Sequence, residues 1–259
     1  MLNAKEFENK VALITGASSG IGRAAALAFV KCGGRVAVVA RREKELTDLV
    51  REIHALGGQV EKLAGDVTDE AFVQRAVQST VTRWGGIDVL VNAAGIIATA
   101  SIEATSNELF DRMMNINVRS VFLMMRAALP TLVDRKGSIV NLSSVAGTRA
   151  FPNVFAYVAS KAAVNAMTQC AALDLAPKGV RVNAVNPGVV VTNLHKAGGM
   201  SEEAYVKFLE HSKTTHPLGR VGQAEDVTEA ILFLASPRSG WITGETLAVD
   251  GGRHLTCAR

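Results

Sequence analysis

The chain has 259 residues, 48% of them hydrophobic and 20% charged, with 23 glycines and 6 prolines spread along its length, a composition that suits a folded α/β domain and excludes a disordered protein. Its formal net charge of +4 comes from scattered cations, only Arg41-Arg42 and Arg135-Lys136 being adjacent, and with aromatics at 5% no nucleic-acid surface is indicated. The apolar runs read as too short and interrupted to span a bilayer, residues 1–6 lack the apolar core of a signal peptide, and Cys257-Ala258-Arg259 is neither a prenylation nor a peroxisomal signal.

The first apolar run, 11–15, leads into Thr15-Gly16-Ala17-Ser18-Ser19-Gly20-Ile21-Gly22 and then an alanine-rich stretch to residue 31. Taken alone, those glycines also fit an ordinary turn or cap. Between a strand and a helix they form a nucleotide signature, because glycine lets the backbone approach a pyrophosphate whose charge the helix N-terminus favours. Further strands are expected at 35–40, 60–64, 89–92, 138–143, 180–186 and 246–249, and further helices at 43–56, 70–83, 108–133, 156–176 and 225–235, with glycine pairs after the first three helices. This alternation predicts an α/β protein: a single-domain Rossmann fold whose doubly wound, seven-stranded parallel sheet carries helices on both faces. Residues 189–217 interrupt it with a polar insertion containing Gly198-Gly199 and a short helical pattern at 202–211, expected to be a substrate flap on one domain spanning 1–259.

Cys32, Cys170 and Cys257 are far apart, and the five histidines (54, 195, 211, 216 and 254) show no zinc spacing, so no metal site is expected. Cys32 and Cys170 sit in apolar helix patterns and read as buried thiols of a reducing compartment, the cytoplasm.

Tyr157 and Lys161 stand four residues apart on one face of the helix at 156–176, and Ser144 lies thirteen residues upstream of the tyrosine. A phenol with a pKa near ~10 is a poor proton shuttle at neutral pH, and a fixed ammonium beside it lowers that value. Such a pair is also a common decoration of solvated helices; the glycine turn in the same chain gives it weight.

Together these residues resemble a classical short-chain dehydrogenase/reductase over essentially the whole chain, 10–252. Further matches follow in the family's order: Asp66-Val67, Asn92-Ala93-Ala94-Gly95, Asn117 within Asn115-Ile116-Asn117-Val118, Asn186-Pro187-Gly188 and Val249-Asp250-Gly251-Gly252. The resemblance implies an oxidoreductase moving a hydride between a nicotinamide cofactor and a carbonyl or secondary alcohol. It implies that Tyr157 is the general acid in reduction and the base in reverse, that Lys161 lowers its pKa and holds the nicotinamide ribose, that Ser144 donates to the substrate oxygen, and that Asn117 orients a water in a relay through Lys161. Ser143 and Asn115 lack the family offset or context and read as local caps.

For the cofactor, the resemblance implies that Gly16, Ser18, Ser19, Gly20, Ile21 and Gly22 surround the pyrophosphate and that Asp66 and Val67 flank the adenine. Asn92, Ala93 and Gly95 then border the adenosine ribose, and Pro187, Gly188, Val190 and Thr192 adjoin the nicotinamide. Asp66 has helix capping as an alternative, and Thr192 loop capping. An NAD site usually carries an acid at the end of the second strand. Here Ala40-Arg41-Arg42 offers two guanidinium groups, which suit a 2′-phosphate and favour NADP(H) over NAD(H), the other reading being a solvated helix start with Glu43 and Glu45. Against NADP(H), Ser19 stands where many NADP-type relatives carry a basic residue.

The substrate pocket is expected from Ile96, Ile97, Val145, Arg149, Phe151, Val154, Phe155 and Val189, with Leu194, Met200, Tyr205 and Phe208 from the flap. These are mostly apolar, which suits a carbonyl reductase-like enzyme and a mainly apolar small-molecule carbonyl or alcohol. Arg149 or His195 either engages a carboxylate or faces solvent. Alternatives are an NAD-dependent hydroxysteroid or polyol dehydrogenase and a non-catalytic nucleotide-binding relative; the intact Asn117, Ser144, Tyr157, Lys161 set opposes the latter. The resemblance further implies a homo-oligomer, tetramer or dimer, joined by the helices bearing Asn117 and Tyr157, with no nucleic-acid or membrane partner.

Overall fold

The computed structural model describes residues 5–256; the readings made on residues 1–4 and on Cys257-Ala258-Arg259 lie outside them. Seven strands, β1 (Val11–Thr15), β2 (Arg35–Ala40), β3 (Val60–Ala64), β4 (Val89–Asn92), β5 (Ser138–Leu142), β6 (Arg181–Pro187) and β7 (Thr246–Val249), form one sheet in the order β3-β2-β1-β4-β5-β6-β7. Every neighbouring pair is parallel, as helical crossovers require. The helices are α1 (Gly20–Lys31), α2 (Glu43–Ala55), α3 (Glu70–Trp84), α4 (Asn107–Met114), α5 (Ser120–Arg135), α6 (Phe155–Leu175), α7 (Leu194–Ala197), α8 (Glu202–Thr215) and α9 (Ala224–Ala235).

Both sheet faces are covered, which is why the central strands read as unbroken apolar runs. Successive residues of β1 go to opposite sides: Ala12 and Ile14 join Phe29, Leu46 and Ile231 from α1, α2 and α9, while Leu13 joins Val73, Met124 and Ala172 from α3, α5 and α6. The edge strand β3 alternates instead, with Lys62 reaching Glu43 at 2.9 Å.

Two expectations are corrected. The single helix expected at 108–133 is α4 and α5 joined through a π-helical turn, Asn115–Arg119. The resulting helix, Asn107–Arg135, is by length and composition able to cross a membrane, although the sequence runs read as too interrupted; its Leu123, Met124, Ala128 and Leu132 are buried in the core below the sheet. Cys170, read as buried, is exposed on the outer face of α6, whereas Cys32 is buried.

Candidate active site

The strand order reverses at β1, so the loops after β1 and β4 part and leave a crevice at the carboxyl ends of the strands, where open parallel sheets take ligands. Thr15 ties the two loops together, its Oγ1 accepting from the amides of Ala93 (3.0 Å) and Ala94 (3.1 Å). Gly16 turns with φ +67°, and a Cβ there would lie 2.6 Å from the Ala93 carbonyl oxygen; at Gly22 it would lie 2.7 Å from the Gly16 carbonyl oxygen. Only glycine lets the turn press this closely on the sheet. The N-terminus of α1 is thereby set at the crevice, with no side-chain cap from Ser19 and no acid in its first turn. That is a cradle for an anion, and it fits a dinucleotide pyrophosphate.

The crevice, about 330 Å³, is lined by Gly16, Ser18, Ser19, Gly20, Ile21, Gly22, Arg41, Arg42, Asp66, Val67, Ala93, Gly95 and Thr192, and by Gly65, Ile116 and Leu142, which the sequence reading missed. Arg41 stands 3.8 Å from Asp66. Arg42 folds back over the glycine turn, donating to Ser18 (2.9 Å) and Ser19 (2.6 Å). Asp66 accepts from the amide and hydroxyl of Thr68, and the cap of α3 is Asp69, so Asp66 is not the helix cap. Asn92 is a correction: its side chain leaves the crevice for the sheet interior, where it donates to Asn141 (2.9 Å), which donates to Thr168 (2.9 Å).

Tyr157, Ser160 and Lys161 occupy the buried face of α6. Ser144, in extended backbone just beyond β5, lines the same cavity as the phenol and accepts from the Ala146 amide at 3.1 Å. Burial pushes the phenol's pKa up, and the Ser144 side chain pulls it partly back. Lys161 lies over the ring, its Nζ 5.8 Å from the centroid, and donates to the Leu142 carbonyl at 2.8 Å. Burial pushes its pKa down to about 8. The expectation that the ammonium sets a lowered phenol pKa is corrected here: desolvation dominates and the pKa is raised.

The Asn117 amide faces protein on every side, accepting from the Ile96 amide (2.8 Å) and donating to the Ile96 carbonyl (2.9 Å) and Ser160 (3.0 Å). It pins the loop after β4 to the Tyr157 helix, rather than offering its side chain to water. Ser143 is no local cap either: its hydroxyl reaches the Lys161 carbonyl (2.9 Å) and fastens β5 to α6. The capping role at this strand end falls to Ser144.

Next to these groups a cavity of about 290 Å³ is walled by Ile96, Ile97, Val145, Phe151, Val154, Pro187, Gly188, Val189, Val190, Leu194, His195 and Phe208. Four expected wall residues are elsewhere. Arg149 turns to the carbonyls of Arg253 and His254 (3.1 Å each), and Phe155 is exposed. Met200 does not reach the cavity, and buried Tyr205 clamps Thr192, bonding both its amide (3.2 Å) and its carbonyl (2.9 Å). Arg253 and Pro152 are wall residues the sequence reading missed. Thr192 sits with its methyl over Gly20 and its Oγ1 accepting from Leu194 at 3.3 Å, the loop-capping arrangement.

The turn beside Pro187 is held from behind by buried His216. Its Nδ1 donates to the Ser212 carbonyl (2.6 Å), which leaves Nε2 to accept from the Val189 amide (3.1 Å). His216→Ala strands that part-buried amide, and a loss of about 1–3 kcal/mol is expected, measurable by denaturant unfolding.

A family profile described as enoyl-(acyl carrier protein) reductase covers residues 16–254. A Thermotoga maritima protein named 3-oxoacyl-[acyl-carrier-protein] reductase FabG is 41% identical over 95% of this chain and 98% of its own. Sorbitol dehydrogenase of Cereibacter sphaeroides is 38% identical over 96% and 99%. Among solved structures, a short-chain dehydrogenase/reductase of unknown function from Caenorhabditis elegans, determined with cofactor, superposes with a TM-score of 0.92 at 36% identity, covering 98% of both chains. With a seven-stranded Rossmann sheet, a glycine cradle and a buried Tyr-x-x-x-Lys beside it, the chain belongs to the short-chain dehydrogenase/reductase family and is an NAD(P)-dependent oxidoreductase of CH–OH and C=O groups.

Proposed function

We propose that this enzyme is an NADP(H)-dependent carbonyl reductase acting on a mainly apolar small molecule, one domain over 1–259 with residues 189–217 as its substrate flap. The observation that carries the reading is that Ser144, Tyr157 and Lys161 line one mainly apolar cavity next to the glycine cradle. Bound in the cradle, a nicotinamide supplies the hydride. Tyr157, kept protonated by burial, gives its proton to the carbonyl oxygen as negative charge develops there. Ser144 steadies that oxygen and the phenol together. Lys161 holds a positive charge beneath the ring, and Asn117 fixes the loop that flanks it.

For the cofactor, Arg41 and Arg42 both line the crevice, and the strand end at Ala40 offers no acid for a ribose hydroxyl pair. Arg42 also places its guanidinium against Ser19, supplying in space the basic group the sequence lacks at that position. The same features, with the apolar walls, oppose an NAD-dependent polyol dehydrogenase. Exposed Phe122, Phe155 and Leu173 on α5 and α6, beside Cys170, support assembly of a dimer or tetramer through those helices. A cytoplasmic location is part of the same reading.

Arg41→Ala with Arg42→Ala is expected to weaken NADPH about 10- to 100-fold while NADH changes far less, each lost contact being a charge-assisted hydrogen bond. Fluorescence titration with both cofactors measures it, and an equal loss for both sinks the 2′-phosphate assignment. Coupled NADPH oxidation against ketones, aldehydes and quinones tests the carbonyl reading, which fails if none is reduced.

A further inference from the structure

The cavity has a second charged group besides the lysine at the phenol. Among its lining residues are two cationic side chains, Lys161 and Arg253, and no carboxylate. Lys161 is engaged by the Leu142 carbonyl next to the phenol. Arg253 stands just past β7, where its Nη1 donates to the Thr215 carbonyl at 3.2 Å and its Cζ lies 5.3 Å from the centre of the Phe151 ring. A helix end and a ring face thus fix the guanidinium plane, and among the described residues Nε and Nη2 have no hydrogen-bond partner.

Among the described residues Arg253 makes no ion pair, although the charge of Asp250 favours its cation. Asp250 is the acid at hand, but it is engaged by the amides of Gly252 (3.0 Å) and His254 (2.7 Å) and by the His254 imidazole (2.9 Å). Arg149 adds a second guanidinium, bonded to the Arg253 carbonyl and close enough for its charge to oppose that of Arg253. Neither arginine makes an ion pair among the described residues. His195, the histidine of the cavity wall, is biased to its neutral form by burial. A cavity-lining guanidinium with free donors, backed by a second arginine outside the cavity, forms an anion site in an apolar chamber.

We propose that Arg253 anchors a carboxylate at the end of the substrate remote from the reacting carbonyl, so that the substrate class is an oxo acid in reduction and the matching hydroxy acid in oxidation. This rests on the carbonyl reductase reading. The oxo carbon gains the hydride, its oxygen gains the Tyr157 proton, and the carboxylate is unchanged. A planar fork with Nε and Nη2 unengaged matches a carboxylate through two parallel hydrogen bonds, and the apolar walls between the two ends suit a short methylene chain.

The test uses the full-length enzyme as wild type, Arg253→Lys and Arg253→Gln; glutamine keeps a donor for Thr215. NADPH-dependent rates are measured for acetoacetate and levulinate and for their methyl esters, and calorimetry follows butyrate and butyramide binding to the NADP-loaded enzyme. The wild type is expected to prefer the acids. Arg253→Gln is expected to cut the acid-to-ester ratio of kcat/KM about 10- to 100-fold, mainly through KM, with Arg253→Lys between them. Esters used as well as the acids, with a ratio the glutamine variant leaves unmoved, overturn the proposal. If no carbonyl is reduced, the carbonyl reading fails by itself and the binding arm decides: butyrate preferred by the wild type and lost in Arg253→Gln sustains the anchor, and equal binding of butyrate and butyramide overturns it. Methyl phosphate displacing butyrate at lower concentration overturns the carboxylate class.

Discussion

Tyr157→Phe is expected to lower kcat by about 10²–10⁴-fold, the range general acid catalysis contributes, while leaving dinucleotide affinity nearly intact. The ring itself is part of the packing, buried with Met113, Ala146 and Ala156, and phenylalanine keeps that volume. What is lost is the hydroxyl beside Ser144 in the cavity wall. The neighbouring hydroxyls are engaged elsewhere: Ser144 and Thr192 accept from the Ala146 and Leu194 amides, and Ser143 is turned to the Lys161 carbonyl. Steady-state rates with a reducible carbonyl, read beside a fluorescence titration of the cofactor, separate the two effects. Turnover comparable to wild type removes the assigned acid, and loss of cofactor binding in parallel shows that the substitution damaged the cradle instead.

The sheet was legible because each central strand is buried on both faces and must be apolar throughout, and because glycine turns separate it from the next helix. The crevice was legible for a similar reason: Gly16 and Gly22 are required by backbone contacts no side chain tolerates, so the requirement is written in residue type. Side-chain direction is not written that way. Asn92 ends β4 beside Ala93 and Gly95, yet its amide turns into the sheet interior while its neighbours line the crevice. Tyr205 and Phe208 share one helix and one apolar pattern, but Tyr205 clamps Thr192 and Phe208 faces the cavity. The exchange of Arg149 for Arg253 has the same cause. Both are isolated arginines in sequence, 104 residues apart, and only the return of the chain after β7 decides which one borders the pocket. The π turn at Asn115–Arg119 left no sequence signal because it is stabilised by Asn117 bonds to Ile96 and Ser160, partners supplied by the tertiary fold.

Lys161→Met separates activity from stability more sharply than any other change in the site. In the folded chain burial brings the ammonium down to about 8, whereas an unfolded lysine keeps its ordinary value. At neutral pH both states are protonated, so the folded state bears the full cost of holding a buried charge, about 3 kcal/mol from that drop and partly offset by the Leu142 bond. Methionine fits the same unbranched space without the charge. The variant is therefore expected to be more stable than wild type at pH 7, by up to about 3 kcal/mol, while losing about 10²-fold or more in kcat. Between about pH 8 and the ordinary lysine value the unfolded wild-type chain binds more protons than the folded one, so this residue makes stability rise with pH there. That slope is absent from the variant. The wild-type reduction rate is expected to run the other way, falling as pH climbs through about 8, because burial holds the Tyr157 proton on and Lys161 is the group that discharges first. Denaturant titrations at pH 7 and pH 9, with rates at the same pH values, check both signs. A variant less stable than wild type at pH 7 means that the lysine is a net structural anchor and that its charge is not held under strain.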